Sequence, residues 1–421
     1  MTLKDSFCPS PWFHMRITNN GGMTYCRWAD KSLAEVNIRD VDPVEFFQQH
    51  MSTVRTAMLD GEPVAGCDVC YQMECHNKVS GRQKQLLKIG VRLEQFEKTL
   101  ASSPWVSEFA SKEFTQLPQD WQIDLGNYCN GACVFCHPSA SSRLASEWRR
   151  IGLIKQMPAS NWTDDPVLVS RFVAMLESSP HIQYLHFIGG ETLITPAFKT
   201  ILEALVQAGL NKTATIGFTT NLITWDQDVV DLLTQFAGVN LGMSVESFET
   251  INDYVRWPAT LPKIYETLDQ WYVVAKQHQW LLQFRTTPTV LTIDSLLSVY
   301  QYAWSQGIAI ESCNFLNKPE FMRPSVLPVK HRQQIISSME SWIAERDSAS
   351  AAIVNTRDPN LAQQQIVQDL QSYVNYLKNE PDESFRLPDL IAFLKRIESS
   401  RGNSVVTYLP QYEDLFRSLG Y

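Results

Sequence analysis

Short apolar runs alternate with longer helical patterns between residue 120 and about residue 320. This alternation is typical of repeated strand–helix units and of a parallel sheet. The predicted strands are Trp121–Gly126, Tyr184–Gly189, Thr213–Thr220, Asn240–Val245, Trp280–Pro288 and Gly307–Phe315. The predicted helices between them include Pro196–Ala208, Asp226–Phe236, Leu261–Ala275 and Ile293–Gln306. Six such units predict an α/β fold, a partial TIM-like (β/α)6 barrel, with its chemistry on the loops that follow the strands.

The predicted barrel covers residues 120–328, and the regions on either side of it show different sequence patterns. Residues 1–95 are loop-rich and hold five cysteines, so we expect metal ligation to stabilise a small cysteine-rich domain there. Residues 96–119 are interpreted as a linker. After Pro328 the pattern predicts a helical C-terminal extension over residues 329–421, without candidate catalytic residues. Its predicted helices are Lys330–Arg346, Asn360–Lys378 and Leu387–Ser399.

Composition limits the class of protein. The chain has 421 residues, 44% hydrophobic and 19% charged, and it lacks the long uninterrupted apolar run that a membrane span requires. The first residues do not resemble an export signal, and nine cysteines at metal-like spacings favour a reducing compartment, so we expect a cytoplasmic protein. The net charge of −9 argues against a nucleic-acid partner.

Three cysteines follow the first predicted barrel strand in the pattern C-x3-C-x2-C, namely Cys129, Cys133 and Cys136. Three thiolates at this spacing can hold three corners of a four-iron, four-sulfur cluster, whereas a closed cluster needs four protein ligands. One iron would then be open to a small molecule. The alternatives are a closed cluster, or a zinc ion that takes its fourth ligand from elsewhere in the chain.

The cysteine triplet and the turn Gly189-Gly190-Glu191-Thr192 after the next strand together resemble the radical S-adenosylmethionine (SAM) superfamily. The resemblance implies a [4Fe-4S] cluster that binds SAM and cleaves it reductively to a 5′-deoxyadenosyl radical. The glycines would let the backbone approach the ligand, and Glu191 would accept hydrogen bonds from the SAM ammonium group. Thr192, and Phe135 within the triplet, are implied as further cofactor contacts.

Polar residues at the ends of later strands extend this predicted cofactor site. Alternation along the fourth strand puts Ser244 and Glu246 on one face, which we expect to line the barrel lumen. The resemblance implies SAM contacts for these two residues and for Thr220 and Asn221, with solvated loop ends as the alternative. Arg256 resembles the residue that grips the SAM carboxylate, and a surface salt bridge is its alternative role. Arg285 on the fifth strand is also expected to face the lumen.

A second cysteine pattern lies in the first 82 residues. Cys8 is followed by Pro-Ser-Pro-Trp, Cys26 follows Gly22 by four residues, and Cys67-x2-Cys70 comes later. The pattern resembles SPASM and twitch domains, which hold auxiliary iron–sulfur clusters in radical SAM enzymes that mostly modify peptides and proteins, although here it precedes the barrel. It implies one auxiliary [4Fe-4S] cluster on these four cysteines, with Cys75 in reserve. A zinc ion on the same four thiolates is the alternative.

The ninth cysteine, Cys313, and its neighbour Glu311 lie near the end of the sixth predicted strand. Both are expected to point inward as catalytic candidates. A thiol in this position can donate a hydrogen atom to a substrate radical, an arrangement that resembles the peptide epimerases of the superfamily. The alternative is a small buried hydrophobe.

These features predict a radical SAM enzyme that abstracts a hydrogen atom from a peptide or protein, for epimerisation or cross-linking. An external reductant of the flavodoxin or ferredoxin type is implied. Two alternatives stay open at this point. One is modification of a small molecule, and the other is a non-catalytic metal-binding scaffold or redox sensor.

Overall fold

The computed structural model describes residues 3–29, 36–75, 80–103, 109, 117–311, 316, 318–346 and 357–421. Within these ranges one eight-stranded sheet has the order β2-β1-β3-β4-β5-β6-β7-β8. The strands are β1 (His14–Ile17), β2 (Met23–Thr24), β3 (Asp120–Asp124), β4 (Tyr184–Ile188), β5 (Thr215–Thr220), β6 (Gly238–Ser244), β7 (Leu281–Arg285) and β8 (Ala309–Glu311). β1 and β2 are antiparallel, and the other neighbouring pairs are parallel. The predicted α/β class with a mostly parallel sheet is confirmed.

This sheet has two more strands than the six predicted, and both come from the cysteine-rich N-terminal region. β1 lies beside β3, with Met15 opposite Trp121 and Ile17 opposite Ile123. All four side chains are fully buried, so the pairing removes a continuous apolar surface from water. A four-residue strand is too short to give a periodic signal, which is why the sequence did not predict it. The sheet thus contains strands from both sides of the predicted linker, residues 96–119. The division into domains stays a prediction.

The two faces of the sheet differ in polarity. The face toward the helices is aromatic and aliphatic, with Trp121 packed against Phe172 and Phe187 against Phe198 at ring-centroid distances of 5.7 and 5.0 Å. On the opposite, lumen-side face, the row through Gly217 carries the polar residues Arg16, Gln122, His186 and Asn240. A Cβ on Gly217 would lie 2.6 Å from His186 Nδ1, so glycine there makes room for a larger neighbour in the lumen.

Helices cover the apolar face and continue beyond it. The helices that follow barrel strands are Ser142–Arg150, Pro166–Glu177, Pro196–Gln207, Gln227–Leu233, Ile251–Val255, Leu261–His278 and Leu296–Gln306. The N-terminal region has Leu3–Ser6, Ser10–Phe13, Pro43–Glu45, Ser52–Leu59, Asp68–Cys75, Gly81–Lys88 and Phe96–Ala101. The C-terminal extension has Val329–Ala344, Pro359–Asn379, Leu387–Arg401, Val405–Tyr408 and Glu413–Ser418, which include the three helices predicted there. None of the helices in the described ranges combines the length and apolarity needed to cross a bilayer.

The last strand, β8, ends at Glu311. Cys313 and the side chain of Glu311 lie outside the described residues. The catalytic roles that the sequence suggests for them therefore stay predictions.

Candidate radical SAM site

The three cysteines lie in the loop that leaves β3, and backbone hydrogen bonds hold this loop around Cys133. Ala132 N donates to Trp257 O at 2.7 Å, and Val134 N donates to Val255 O at 2.8 Å. The residues on both sides of Cys133 are therefore tied to the last residue of the helix Ile251–Val255 and to Trp257 just after it. This pairing brings a stretch from the end of β6 next to the loop from β3.

Cys129, Cys133 and Cys136 are free, half-buried thiols. Burial, together with repulsion from other thiolates of the triplet, raises the pKa of Cys129 to about 11 and that of Cys136 to about 12. As the side chains stand, no group of three His, Cys, Asp or Glu residues in the described ranges is arranged to hold a metal ion. The donor set, three soft thiolates on one loop, nevertheless fits an iron–sulfur cluster, which would also relieve this repulsion.

Gly189 and Gly190 lie directly against the start of the cysteine loop. Gly190 N donates to Gly126 O at 2.8 Å, and Glu191 N donates to Tyr128 O at 2.6 Å. A Cβ on Gly190 would lie 2.2 Å from Tyr128 O. The sequence predicted that these glycines admit a ligand, and the structure adds a second reason for them. Glycine is required at residue 190 because two loops of the protein itself meet there.

Glu191 links this turn to the end of β5 and to the first cysteine. Its carboxylate is 1% exposed and accepts hydrogen bonds from Asn221 N at 2.6 Å and Leu193 N at 3.3 Å. Burial raises the pKa of Glu191 to about 7, and these hydrogen bonds oppose the increase. The Asn221 amide donates to Asn130 Oδ1 at 2.7 Å and approaches Cys129 Sγ at 3.9 Å. The structure therefore brings the predicted residues Glu191, Asn221 and Cys129 into one network.

Other predicted cofactor contacts lie around this network. Thr220 is buried at the end of β5 and shares a hydrogen bond with the Glu191 carboxylate. Thr192 is buried in the short turn that Glu191 caps, and Phe135 is half-buried against the core. Ser244 ends β6 opposite Arg285 of β7. Both lie on the face of the sheet that carries the lumen-side polar row.

Glu246 and Arg256 form a buried ion pair. Their exposed fractions are 2% and 5%, and Arg256 Nη1 lies 2.8 Å from Glu246 Oε1. The second carboxylate oxygen accepts hydrogen bonds from Thr287 N at 2.6 Å and from Thr286 Oγ1 at 3.1 Å. The alternative of a surface salt bridge for Arg256 is therefore wrong, because the pair is shielded from solvent. Contact of either residue with SAM stays a prediction.

Two residues beside the cysteine loop were missed in the sequence. Asn130, inside the triplet, donates to Thr224 Oγ1 at 2.8 Å as well as accepting from Asn221. Its place between the cysteines was the only available signal. Arg401, at the end of the C-terminal helix, donates to Ala132 O at 2.7 Å. Nothing in the sequence connects this arginine with the triplet, because only folding brings the two together.

A second group of cysteines meets in the N-terminal region. Cys8, Cys26, Cys67 and Cys70 line one cavity, together with Tyr25, Trp28, Ala29, Gly66 and Arg82. Tyr25 Oη lies 3.4 Å from Cys67 Sγ, and burial raises the pKa of Cys8 and of Cys67. Cys75 is exposed and is not among the residues that line the cavity. The four predicted auxiliary ligands are thus brought together, without the predicted reserve.

Comparison with known proteins gives one informative match. Residues 123–272 match the family model described as the radical SAM superfamily. This segment contains the cysteine triplet, the Gly189-Gly190-Glu191 turn and the buried pair Glu246–Arg256. No curated protein matches the chain.

Solved structures show only distant likeness. SuiB of Streptococcus suis bound to S-adenosylmethionine is 11% identical, with 71% of this chain and 64% of SuiB covered and a TM-score of 0.36. The structure of anSMEcpe with bound AdoMet and the Kp18Cys peptide is 14% identical, with 53% of this chain and 60% of anSMEcpe covered and a TM-score of 0.37. The radical S-adenosylmethionine methyltransferase TsrM of Kitasatospora setae, with cobalamin and a [4Fe-4S] cluster bound, is 15% identical. The match covers 45% of this chain and 33% of TsrM, with a TM-score of 0.31. The chain covers less than two thirds of each protein, and likeness at these TM-scores does not bear on function.

The family match agrees with the predicted radical SAM class for this part of the chain. The superfamily implies a [4Fe-4S] cluster and SAM, and the matched segment holds three thiols whose chemistry suits that cluster. Residues 123–272 therefore match a radical SAM domain, and the cysteine triplet and the Gly189-Gly190-Glu191 turn lie inside the matched segment.

Proposed function

We propose that this enzyme cleaves SAM reductively and uses the 5′-deoxyadenosyl radical to abstract a hydrogen atom from a peptide or protein. The observation that carries the proposal is the backbone contact between Glu191 and Tyr128, which joins the predicted SAM-binding turn to the cysteine loop. Cys129, Cys133 and Cys136 would hold the cluster, which supplies the electron for SAM cleavage when it is bound. That electron would come from a flavodoxin- or ferredoxin-type donor.

Glu191 has the features needed to bind the SAM ammonium group. Its carboxylate is buried, and its pKa is raised to about 7, so it binds a proton more tightly than a solvated carboxyl does. An ammonium group placed beside it would favour the ionised form and offset part of the cost of burial. Asn221 and Thr220 would hold the carboxylate in place from the end of β5.

The peptide or protein substrate is supported by the N-terminal cysteines. Their pattern resembles domains of peptide-modifying radical SAM enzymes, and the four thiols line one cavity. We infer that this cavity holds an auxiliary [4Fe-4S] cluster. The polar row on the lumen side of the sheet would suit the polar backbone of a peptide, although it would also suit a polar small molecule.

The test begins with SAM cleavage. Anaerobically reconstituted, chemically reduced enzyme is expected to release 5′-deoxyadenosine and methionine, and Cys133→Ala is expected to release neither. Incubation with candidate precursor peptides should then change the peptide mass, or introduce deuterium at Cα from heavy water in an epimerisation. Release of 5′-deoxyadenosine without peptide modification, together with turnover of a metabolite, would favour the small-molecule alternative. Deuterium uptake that persists in Cys313→Ala would exclude Cys313 as the hydrogen donor.

Iron content should distinguish one cluster from two. We expect about eight iron atoms per chain in the reconstituted wild type and about four in Cys67→Ser/Cys70→Ser, because each cluster contains four irons. Cys75→Ser is the matched control and should keep all eight, since this residue does not line the cavity. About four iron atoms and one zinc in the wild type would show that the N-terminal cavity holds zinc instead.

A further inference from the structure

The end of the C-terminal helix Leu387–Arg401 reaches the cysteine loop of the radical SAM domain. The Arg401 side chain is 1% exposed, and its Nη2 donates to Ala132 O at 2.7 Å. The guanidinium also forms a two-point contact with Glu147, Nε to Oε1 at 2.9 Å and Nη2 to Oε2 at 2.6 Å. It lies 4.9 Å from the centroid of the Trp257 ring. One side chain of the extension therefore contacts both segments that border the loop.

The rest of this helix is anchored on the same two segments. Arg396 donates to Ile151 O at 2.7 Å, just after the helix Ser142–Arg150 that follows the triplet. Phe393 packs against Trp148 of that helix at a centroid distance of 5.7 Å. Toward the other segment, Glu398 accepts a hydrogen bond from Tyr254 Oη at 2.9 Å. The helix thus joins two parts of the barrel that are far apart in sequence.

We propose that Arg401 is a positioning residue of the radical SAM site, through which the C-terminal extension locks the cysteine loop in the conformation that accepts the cluster. Ala132 immediately precedes Cys133, and both of its backbone polar groups are engaged, its N–H by Trp257 O and its carbonyl by Arg401. With this residue held at both groups, the backbone position of Cys133 is set. The inference rests on the proposed function only in requiring a cluster on the triplet.

The chemistry of the contact requires arginine. A planar guanidinium can satisfy both oxygens of Glu147, a backbone carbonyl and an aromatic face at once, whereas the lysine ammonium acts as a point charge on a flexible stem. Arg401→Lys keeps the charge and removes the geometry.

The test compares Arg401→Lys with Arg332→Lys. Arg332 is another buried arginine of the extension, and it donates to the carbonyls of Leu327, Glu380 and Pro381 away from the cysteine loop. We expect Arg401→Lys to lose iron to a chelator about tenfold faster than wild type, a change of about 1.4 kcal/mol. Amide hydrogen exchange around residues 130–135 should accelerate in the cofactor-free protein. Arg332→Lys should leave both rates unchanged.

Two further measurements distinguish a loss of loop positioning from a failure to fold and from a failure of the proposed function. Glu147→Gln/Arg401→Met removes the ion pair without leaving a buried charge, so it should fold, as circular dichroism will check, and still show faster exchange at the loop. Wild-type rates in both Arg401 variants, or equal iron loss in Arg332→Lys, would overturn the proposal. If the wild type binds no iron at the triplet, the proposed function fails, while the exchange rates of the cofactor-free chains still decide whether Arg401 holds the loop.

Discussion

Gly190→Ala is expected to destabilise the protein by about 3 kcal/mol or more and to prevent cluster assembly on the triplet. The added Cβ would lie 2.2 Å from Tyr128 O and 2.8 Å from the carbonyl carbon of Asn127. Both are backbone atoms, so no side chain can rotate to relieve the overlap. The two loops must separate, which breaks the hydrogen bonds that join Gly190 and Glu191 to the cysteine loop.

Gly131→Ala is the matched control for this effect. Gly131 lies between two cysteines of the triplet, but a Cβ there would come no closer than 3.6 Å to another side chain, an ordinary contact distance. We expect its free energy of unfolding in the cofactor-free state to stay within about 1 kcal/mol of wild type. Urea unfolding followed by circular dichroism, with iron determination after reconstitution, measures both effects. Wild-type stability and iron content in Gly190→Ala would show that the contact between the loops is not needed.

Arg256→Gln is expected to cost about 3–5 kcal/mol, because it leaves the Glu246 carboxylate buried without its charged partner. The double variant Glu246→Gln/Arg256→Gln should recover most of this loss, since no ionised group then remains in the buried position. A double-mutant cycle by urea unfolding gives the coupling energy of the pair. A coupling near zero would mean that the two side chains do not interact in solution.

The pH dependence of the same variants follows from the sign of the pKa shift. Burial raises the pKa of Glu246 in the folded protein, and Arg256 opposes the increase. A carboxyl whose folded pKa is raised adds stability below its unfolded pKa and loses that contribution as pH rises through the folded value. Arg256→Gln removes the opposition, so its stability deficit should grow as pH rises above the ordinary carboxyl pKa of 4.5. In the double variant Glu246→Gln/Arg256→Gln, this added dependence of stability on pH should disappear. The contribution of Glu191, whose folded pKa is also raised, has the same sign and should remain.

Several parts of the site were predictable from short stretches of sequence. The triplet and the Gly189-Gly190-Glu191 turn each span a few residues, and each follows a strand with a clear apolar pattern. Because carboxyl ends of parallel strands meet at one edge of a sheet, the convergence of Cys129, Glu191 and Asn221 follows from the order of the strands. Cys8, Cys26, Cys67 and Cys70, which the resemblance to SPASM and twitch domains groups together, line one cavity.

Other parts could not be predicted, because they depend on contacts between distant segments. The strand His14–Ile17 is too short to show a period, and it becomes a strand because β3 offers an apolar partner in register. The sequence alone does not show whether the charged side chains of Glu246 and Arg256 are buried or exposed to solvent. Only the packing of the loops after β6 and β7 shows that they satisfy one another in the interior.

Apolar alternation was enough to indicate an α/β chain, because a strand period shows in neighbouring residues. The cysteine triplet and the Gly189-Gly190-Glu191 turn were enough for a resemblance to the radical SAM superfamily, which implies SAM and an iron–sulfur cluster. The tertiary structure decided how that chemistry is held. It joined an N-terminal strand to the barrel sheet, paired Glu246 with Arg256 in the interior, and brought Arg401 to the carbonyl next to Cys133. Such contacts join residues that are far apart along the chain, so they exist only after the core has packed.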